Sequence, residues 1–179
     1  MSEFKYTVSA IGQDSHRFTS EDKPLILGGV VFEGCDGMLA NSDGDVVLHA
    51  ITNAISGLTA QNILGAPADE LCKKGITDST AYLNLALEGL KEKKIKLVHA
   101  SVSIECKKPK ISPRVSQMRE SIGKLLGISP EEVGITATTG EELTAFGRGE
   151  GACNAHGGLP HGAQLLLHSR PLLRRSRSL

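Results

Sequence analysis

Residues 42–58 read SDGDVVLHAITNAISGL, a turn-forming run that leads into an amphipathic helix. The small and acidic residues at its start supply capping groups for the free amides of a first helical turn. Apolar side chains then recur at helical spacing on one stripe, formed by Val47, Ile51, Ala54, Ile55 and Leu58. The stripe predicts the packed side of a helix, and His49 lies away from it.

Helix and strand patterns alternate along the rest of the chain. A short apolar run at residues 6–11 predicts a strand that delivers Asp14 and His16 at its end. The other predicted elements are a hairpin across Gly28-Gly29, a helix after Thr77 or Asp78, a strand at 98–105, a helix from Pro113 to Gly127, and a strand at 135–139. Residues 61–75 show no sustained period and are expected to form a loop that closes over a ligand. The alternation predicts a mixed α/β sheet layered against helices.

The composition excludes several classes of function. Twenty basic and twenty acidic residues give a formal net charge of zero, so no overall field attracts the chain to nucleic acid or to an anionic membrane. Aromatic residues make up only 3% of the chain, which argues against base-stacking surfaces. The four cysteines include no CxxC pair and are expected to be free thiols, and no apolar run reaches the ~18 residues of a membrane helix. These features predict one globular domain over residues 1–179 in a reducing compartment.

Three side chains form a candidate metal site. Asp14 and His16 are one residue apart, so on an extended segment both side chains point to the same side and can bind one ion. His49 is the best third ligand, with Asp45 and Asn53 placed at four-residue spacing to orient its ring. Three mixed nitrogen and oxygen ligands leave a fourth tetrahedral position open, as in catalytic zinc sites. The spacing also fits an alternative in which Asp14 forms a turn and both histidines are ordinary structural residues.

A second cluster consists of two runs, TTGE at residues 138–141 and GRGEG at 147–151. Glycines allow backbone amides to face an anion, Arg148 can clamp a phosphate, and Glu141 can hold a harder cation such as magnesium. The lysine-rich run at 107–110 is a third candidate phosphate contact. A flexible, solvent-exposed loop is the alternative interpretation of the same residues.

Five features follow one another in the order known from one family. They are Asp14-Ser15-His16, SDGDVVLH at 42–49, Pro109-Lys110, TTGE at 138–141 and GRGEG at 147–151. On these residues the chain resembles the 2-C-methyl-D-erythritol 2,4-cyclodiphosphate synthases of the non-mevalonate isoprenoid pathway. The resemblance extends from about Tyr6 to Gly151, and its most specific parts are the SDGDxxxH and GRGEG runs.

The resemblance implies a phosphorus-oxygen lyase of the α+β class. Its fold would be a four-stranded mixed sheet with helices on one face, and it would assemble as a homotrimer. Each subunit would hold one zinc ion at a subunit interface through Asp14, His16 and His49, with magnesium or manganese near Glu141. The small-molecule substrate would be 4-diphosphocytidyl-2-C-methyl-D-erythritol 2-phosphate, whose 2-phosphate attacks the β-phosphorus, expels CMP and closes a cyclic diphosphate.

The resemblance also implies roles for further residues. Thr139 would contact phosphate and act in catalysis together with Glu141 and Asp45. Ser42 and Asp45 would hold the erythritol phosphate end and orient the histidine ligand, while Asn41 replaces a histidine that usually lies on this phosphate side. The cytidine pocket would be lined by Cys106, Pro109, Lys110, Ala137 and Thr138.

Several residues depart from the family pattern. Residues 62–69 replace the usual erythritol-binding loop, and they share this difference, like Asn41, with divergent members that resemble the chlamydial enzymes. Ala145 stands where a phenylalanine is usual near the trimer axis. Residues 154–162 form a candidate inserted loop, or else mark a shifted coding frame that compromises the last strand, and residues 170–179 are expected to be a disordered tail.

Three other functions stay open on the sequence. A phosphohydrolase would use zinc to activate water. A non-catalytic trimer would bind isoprenoid diphosphates at its axis through Arg148, and a structural protein would carry an incidental metal. The expected location is the bacterial cytoplasm, or the plastid stroma in a plastid-bearing organism.

Overall fold

The computed structural model of the chain describes residues 7–152 and the backbone of residues 163–171. The strands are β1 (Val8–Asp14), β2 (His16–Arg17), β3 (Pro24–Leu27), β4 (Val30–Asp36), β5 (Ile95–Glu105), β6 (Val133–Thr138), β7 (Gly151–Ala152) and β8 (Ala163–Pro171). The helices are α1 (Val46–Thr59), α2 (Ala66–Lys73), α3 (Ser79–Glu92), α4 (Val115–Leu126) and α5 (Ala145–Arg148). The α+β class expected from the sequence is confirmed.

Four strands form the main sheet in the order β1-β8-β5-β6. Strands β5 and β6 run parallel, whereas β8 pairs antiparallel with both β1 and β5, so the sheet is mixed. Strand β8 occupies an inner position, and Leu166 lies in register between Ile11 on one side and Ser101 on the other. The last apolar run of the sequence therefore forms a strand.

The expected tail begins later than residue 170. Arg170 and Pro171 still belong to β8, because β5 extends far enough to pair them with Lys96 and Ile95. The prediction of a disordered tail is therefore wrong at these two residues. Residues 154–162, the candidate inserted loop, and residues 172–179 lie outside the described part of the chain.

Helices α1, α3 and α4 pack on the sheet and form the core with it. Helix α1 lies against β1 and β8, α3 against β5, and α4 against β6. Along β5 the residues Ala100, Val102 and Ile104 are fully buried, while Ser103 between them is exposed. On β1 the backbone of Gly12 touches α1, whereas the neighbouring Ile11 side chain is 68% exposed. The strands thus bury one face and leave the other face open.

The segment at residues 61–75 corrects one prediction, because it contains helix α2 and is not a loop throughout. Pro67 lies in the first turn of α2, where proline is well tolerated, and Asp69 and Lys73 suit the helix dipole. The helix has no fully buried residue, and only its partly buried Ala68, Leu71 and Cys72 pack against the core. Because this apolar stripe is so short, the sequence shows no sustained helical period here.

The predicted hairpin and helix ends are observed. Gly28 and Gly29 both have positive φ angles, 62° and 74°, as a two-residue turn between β3 and β4 requires. Asp78 rather than Thr77 caps α3, since its side chain accepts the amide of Thr80. Gly127 ends α4 in the left-handed conformation. In the described part of the chain, no helix is both long and apolar enough to cross a membrane.

Candidate metal centre and anion-binding loop

The side chains of Asp14, His16 and His49 converge as the sequence predicts. Asp14 ends β1, His16 begins β2, and His49 lies in the first turn of α1, which packs on β1. Asp14 Oδ2 lies 3.0 Å from His16 Nε2 and 2.8 Å from His49 Nδ1, and the two ring nitrogens are 3.0 Å apart. The three ligand atoms form a nearly equilateral triangle.

This triangle fits a small divalent ion. Bond lengths of about 2.0–2.1 Å place two ligand atoms of a tetrahedral zinc ion about 3.3 Å apart, close to the observed separations. Two imidazole nitrogens and one carboxylate oxygen are donors that zinc accepts readily. The side chains of His49, His16 and Asp14 are 8%, 19% and 24% exposed, so one side of the triangle faces solvent. The donor set therefore leaves room for a fourth ligand.

The electrostatics of Asp14 favour its anionic form. Burial raises the pKa of this carboxyl, but hydrogen bonds and charge interactions with His16 and His49 outweigh burial and hold the pKa well below its usual range. The carboxylate therefore supplies a full negative charge beside the two rings. A divalent cation at the triangle would meet a carboxylate that is already charged, and it would replace the ring protons that this carboxylate accepts.

The residues that contact the other nitrogen of His49 match the prediction at Ser42 and differ from it elsewhere. Nε2 lies 3.2 Å from Ser42 Oγ and 2.9 Å from Ser79 Oγ. Asn53, expected beside the ring, instead donates to the backbone carbonyl of Gln13. Ser79 lies 30 positions from His49 and reaches it only because α3 packs against α1. No motif in the sequence pointed to this serine.

The Asp45 carboxylate does not contact the His49 imidazole, contrary to the prediction. It bonds to backbone amides instead. Its carboxylate accepts four backbone amides, those of Gly28, Gly29, Val47 and Leu48. The side chain is fully buried, and burial raises the pKa of its carboxyl to about 6, although the amides favour the anion. Asp45 thus caps α1 and fastens the β3–β4 hairpin to it.

A cavity of about 790 Å³ opens in front of the triangle. Asn41 and Ser42 line it from the loop before α1. Five residues line it from α2 and the stretch before it: Leu64, Gly65, Ala68, Asp69 and Cys72. Its size falls within the range of about 300–1,000 Å³ typical of small-molecule sites. The segment predicted to close over a ligand therefore forms one wall of this cavity.

The second predicted cluster lies at the two ends of the loop formed by residues 139–149. Thr139 Oγ1 donates to Glu141 at 3.1 Å, and Arg148 Nε donates to Glu150 at 2.9 Å. The residues Thr138, Thr139, Glu141 and Arg148 are all exposed, as an anion-binding loop requires. Glu105, which the sequence did not single out, anchors the loop from β5 by accepting the hydroxyl of Thr144.

The predicted cytidine-pocket residues lie at the ends of the parallel strands β5 and β6. Lys110, Ala137 and Thr138 are exposed, whereas Cys106 is buried. Burial, aided by the charge of Glu105, raises the pKa of the Cys106 thiol to about 11, and Sγ donates to the carbonyl of Pro109. Cys106 is therefore a neutral, buried packing residue.

The two clusters line different cavities in one chain, although Gly151 at the end of the second cluster pairs with Arg17, next to His16. A cavity of about 460 Å³ includes Lys107, Pro109 and Arg148, and none of its lining residues also lines the cavity at the metal triangle. The sequence placed the metal ligands and the anion loop in one site. One described chain presents them as two separate surfaces.

Comparison with known proteins gives a consistent result. The YgbB family model matches residues 8–156. The 2-C-methyl-D-erythritol 2,4-cyclodiphosphate synthase of Chlamydia muridarum is 55% identical over 144 residues, which cover 79% of this chain and 80% of that protein. The synthase of Chlamydia trachomatis serovar D is 52% identical over the same length, with the same two coverages.

Solved structures share the fold. The bifunctional IspDF of Campylobacter jejuni superimposes with a TM-score of 0.80 at 26% identity over 94% of this chain, which spans 43% of the length of that protein. A 2-C-methyl-D-erythritol 2,4-cyclodiphosphate synthase in a CDP-bound form gives a TM-score of 0.69 at 25% identity over 93% of this chain and 100% of that chain. The resemblance drawn from the sequence motifs is thus confirmed, and the chain belongs to the YgbB family, with the 2-C-methyl-D-erythritol 2,4-cyclodiphosphate synthases.

Proposed function

We propose that this chain catalyses the reaction for which its relatives are named. It would convert 4-diphosphocytidyl-2-C-methyl-D-erythritol 2-phosphate to 2-C-methyl-D-erythritol 2,4-cyclodiphosphate and CMP. The observation that carries the proposal is the triangle of Asp14, His16 and His49 at the mouth of a cavity large enough for a small diphosphate. The Chlamydia relatives are bacterial proteins, which supports the cytoplasm as the location.

The proposed chemistry requires no nucleophile from the protein. An oxygen of the 2-phosphate forms a bond to the β-phosphorus, and the bond from the β-phosphorus to the bridging oxygen breaks, so that this oxygen leaves with CMP. Both reacting groups belong to one molecule, and the protein therefore supplies positioning and charge neutralisation. A zinc ion held by Asp14, His16 and His49 would withdraw charge from the β-phosphate when bound.

The remaining site residues would bind and orient the substrate. Asn41 and Ser42 line the cavity beside the triangle and would hold the erythritol phosphate end. Asp45, which is fully buried, would act by fixing the start of α1 and with it His49. This assigns Asp45 a positioning role instead of contact with substrate.

The anion loop would hold the diphosphate and the nucleotide. Thr139 and Glu141 are exposed and already hydrogen-bonded to each other, which suits phosphate contact and a magnesium or manganese ion. Arg148 would attract an anionic group, such as the diphosphate of an isoprenoid at the trimer axis. The ends of β5 and β6 would form the cytidine pocket from Cys106, Pro109, Lys110, Ala137 and Thr138.

We further propose a homotrimer in which neighbouring subunits complete each site. Two observations support it. The metal triangle and the anion loop line separate cavities in one chain, and a second chain that brings its loop to the triangle would let a single substrate contact both. The uncovered face of the sheet exposes the Ile11 side chain, which assembly would bury. One zinc ion would lie at each subunit interface.

The direct test is to incubate the purified chain with the proposed substrate, zinc and magnesium, and to follow phosphorus NMR. We expect equimolar CMP and cyclic diphosphate. The reaction should be lost in His49→Ala but kept in Thr52→Val, a matched control that changes a fully buried side chain of the same helix.

Two outcomes would overturn the proposal. Hydrolysis of the diphosphate without a cyclic product would identify a phosphohydrolase. An intact substrate that binds without release of CMP would identify a binding protein. Sedimentation of the same preparation tests the trimer separately, since a monomer with full activity would refute the shared site.

A further inference from the structure

A buried hydroxyl connects His49 to a carboxylate that the metal site does not use. Ser79, the first residue of α3, is completely buried. Its Oγ lies 2.9 Å from His49 Nε2 and also donates to Asp43 Oδ1. The Ser79 amide donates to the other carboxylate oxygen of Asp43 at 3.0 Å, so this pair is held by two hydrogen bonds. Asp43, Ser79 and His49 form a continuous chain.

The number of protons in this chain fixes their directions. A carboxylate can only accept, so the single hydroxyl proton of Ser79 is donated to Asp43. The Ser79 oxygen can then only accept from the ring, which places a proton on Nε2 of His49. A neutral imidazole with a proton on Nε2 has its lone pair on Nδ1, the atom that faces Asp14 and His16.

Ser42 is compatible with this arrangement but does not determine it. Its Oγ accepts the amide of Gly44 at 3.1 Å and lies 3.2 Å from His49 Nε2. Among the described residues the hydroxyl proton of Ser42 has no carboxylate partner, so this serine can accept from Nε2 or donate to it. Of the two serines, only Ser79 requires a proton on Nε2. Without a metal, the Asp14 carboxylate 2.8 Å from Nδ1 also accepts a proton from the ring, so the tautomer with Nδ1 free is the one present once a cation replaces that proton.

We propose that Asp43 and Ser79 form a hydrogen-bond relay that holds His49 in the tautomer with Nδ1 free to bind a metal. Ser79 is then a positioning residue, because it acts through His49. The relay also links two helices, since His49 lies in α1 and Ser79 begins α3. This inference rests on the metal centre proposed above.

The test measures zinc affinity by competition with a chromophoric chelator and does not depend on catalysis. Removing a partner of a metal-binding histidine typically lowers affinity about 10- to 100-fold, and we expect this loss in Ser79→Ala. Asp43→Asn should show a similar loss, since an amide can donate to Ser79 and so release the hydroxyl proton toward Nε2. Ser79→Thr restores the hydroxyl and should recover affinity.

Thr52→Val is the matched control. Thr52 is also fully buried, and its hydroxyl donates to the Leu48 carbonyl within α1, away from the ring nitrogens. Its loss should lower stability without lowering zinc affinity. Equal zinc affinity in wild type and Ser79→Ala would refute the relay, whereas absence of zinc binding by wild type would refute the metal centre itself.

Nitrogen-15 NMR of the zinc-loaded wild type provides a second test that needs no variant. The long-range proton couplings of the His49 ring should show a proton on Nε2, and this proton should exchange slowly with solvent because Ser79 is completely buried. A ring with its proton on Nδ1 would overturn the proposal even if Ser79→Ala and Asp43→Asn fail to fold. In a folded Ser79→Ala protein, we expect the Nε2 proton to exchange faster.

Discussion

The close contact between β1 and α1 predicts a large effect for Gly12→Ala. A Cβ atom at Gly12 would lie 2.0 Å from the Ala50 carbonyl oxygen, about 1.4 Å closer than the 3.4 Å at which ordinary contact begins. It would also lie 2.3 Å from the amide nitrogen of Ala54. Both neighbours are backbone atoms of a helix, so no side chain can rotate away. Strand and helix would have to separate.

This separation has consequences for both stability and the metal site. Overpacking typically costs about 1–3 kcal/mol, and we expect a loss of about 3 kcal/mol because rigid backbone opposes the new methyl group. Asp14 lies two residues beyond Gly12, while His49 lies on the helix that must move. A displacement of about 1 Å exceeds the ±0.2 Å tolerance of metal–ligand distances. Zinc affinity should therefore fall about 10-fold or more, by the loss of one well-placed ligand.

The assay combines urea unfolding with zinc competition, and Gly57→Ala is the control. Gly57 lies in α1 and also faces β1, but a Cβ there would meet only the Ala10 side chain, at 3.6 Å. This substitution should stabilise the protein by up to about 1 kcal/mol, because alanine favours a helix more than glycine does. If Gly12→Ala unfolds at the same urea concentration as wild type and binds zinc equally well, close packing of β1 on α1 does not position the ligands.

Three other side chains, those of Asp45, Lys23 and Cys106, give further predictions. Burial raises the pKa of Asp45 in the folded protein from 3.8 to about 6. The stabilisation that comes from protonated Asp45 is therefore complete below about pH 4 and is lost as the pH rises through 6. Metal-free wild type should therefore lose about 3 kcal/mol of unfolding free energy relative to Asp45→Asn between pH 4 and pH 7, and parallel curves would contradict this. Lys23 donates to the carbonyls of Ala40 and Ser42, so Lys23→Met should cost about 2 kcal/mol in urea unfolding, whereas the same change at exposed Lys124 should cost almost nothing. Iodoacetamide at pH 8 should modify the partly exposed Cys35 well before Cys106, whose thiol has a pKa of about 11, and equal rates would show that the Cys106 site opens readily.

The proposed sharing of each site between chains also explains the exposure of the anion loop. Within the described part of one chain, Thr139 bonds to Glu141 and Arg148 bonds to Glu150, and all three loop side chains, those of Thr139, Glu141 and Arg148, are exposed. Their anchor, Glu105, is buried in the same sheet whose other face is open. A loop that is held firmly at its base and exposed at its tip is suited to enter the cavity of a neighbouring subunit.

Local sequence determined the elements that have strong signals of their own. The stripe of α1 and the glycine pair of the β3–β4 hairpin were predictable because each obeys a rule of backbone or side-chain geometry within a few residues. The metal ligands were predictable in part for the same reason, since Asp14 and His16 share one side of an extended segment. Helix α2 was missed because it buries too little apolar surface to show a period.

Only the tertiary structure decided which groups surround the ligands. Asp45 is four residues from His49, yet the hairpin turn captures its carboxylate, and Ser79 contacts the ring from 30 residues away. Hydrogen bonds depend on direction and on distances of about 3 Å, and the packing of α1 against α3 and β1 sets both. Spacing along the chain could therefore identify residues capable of binding a metal, but the choice of the partners that orient them required the folded chain.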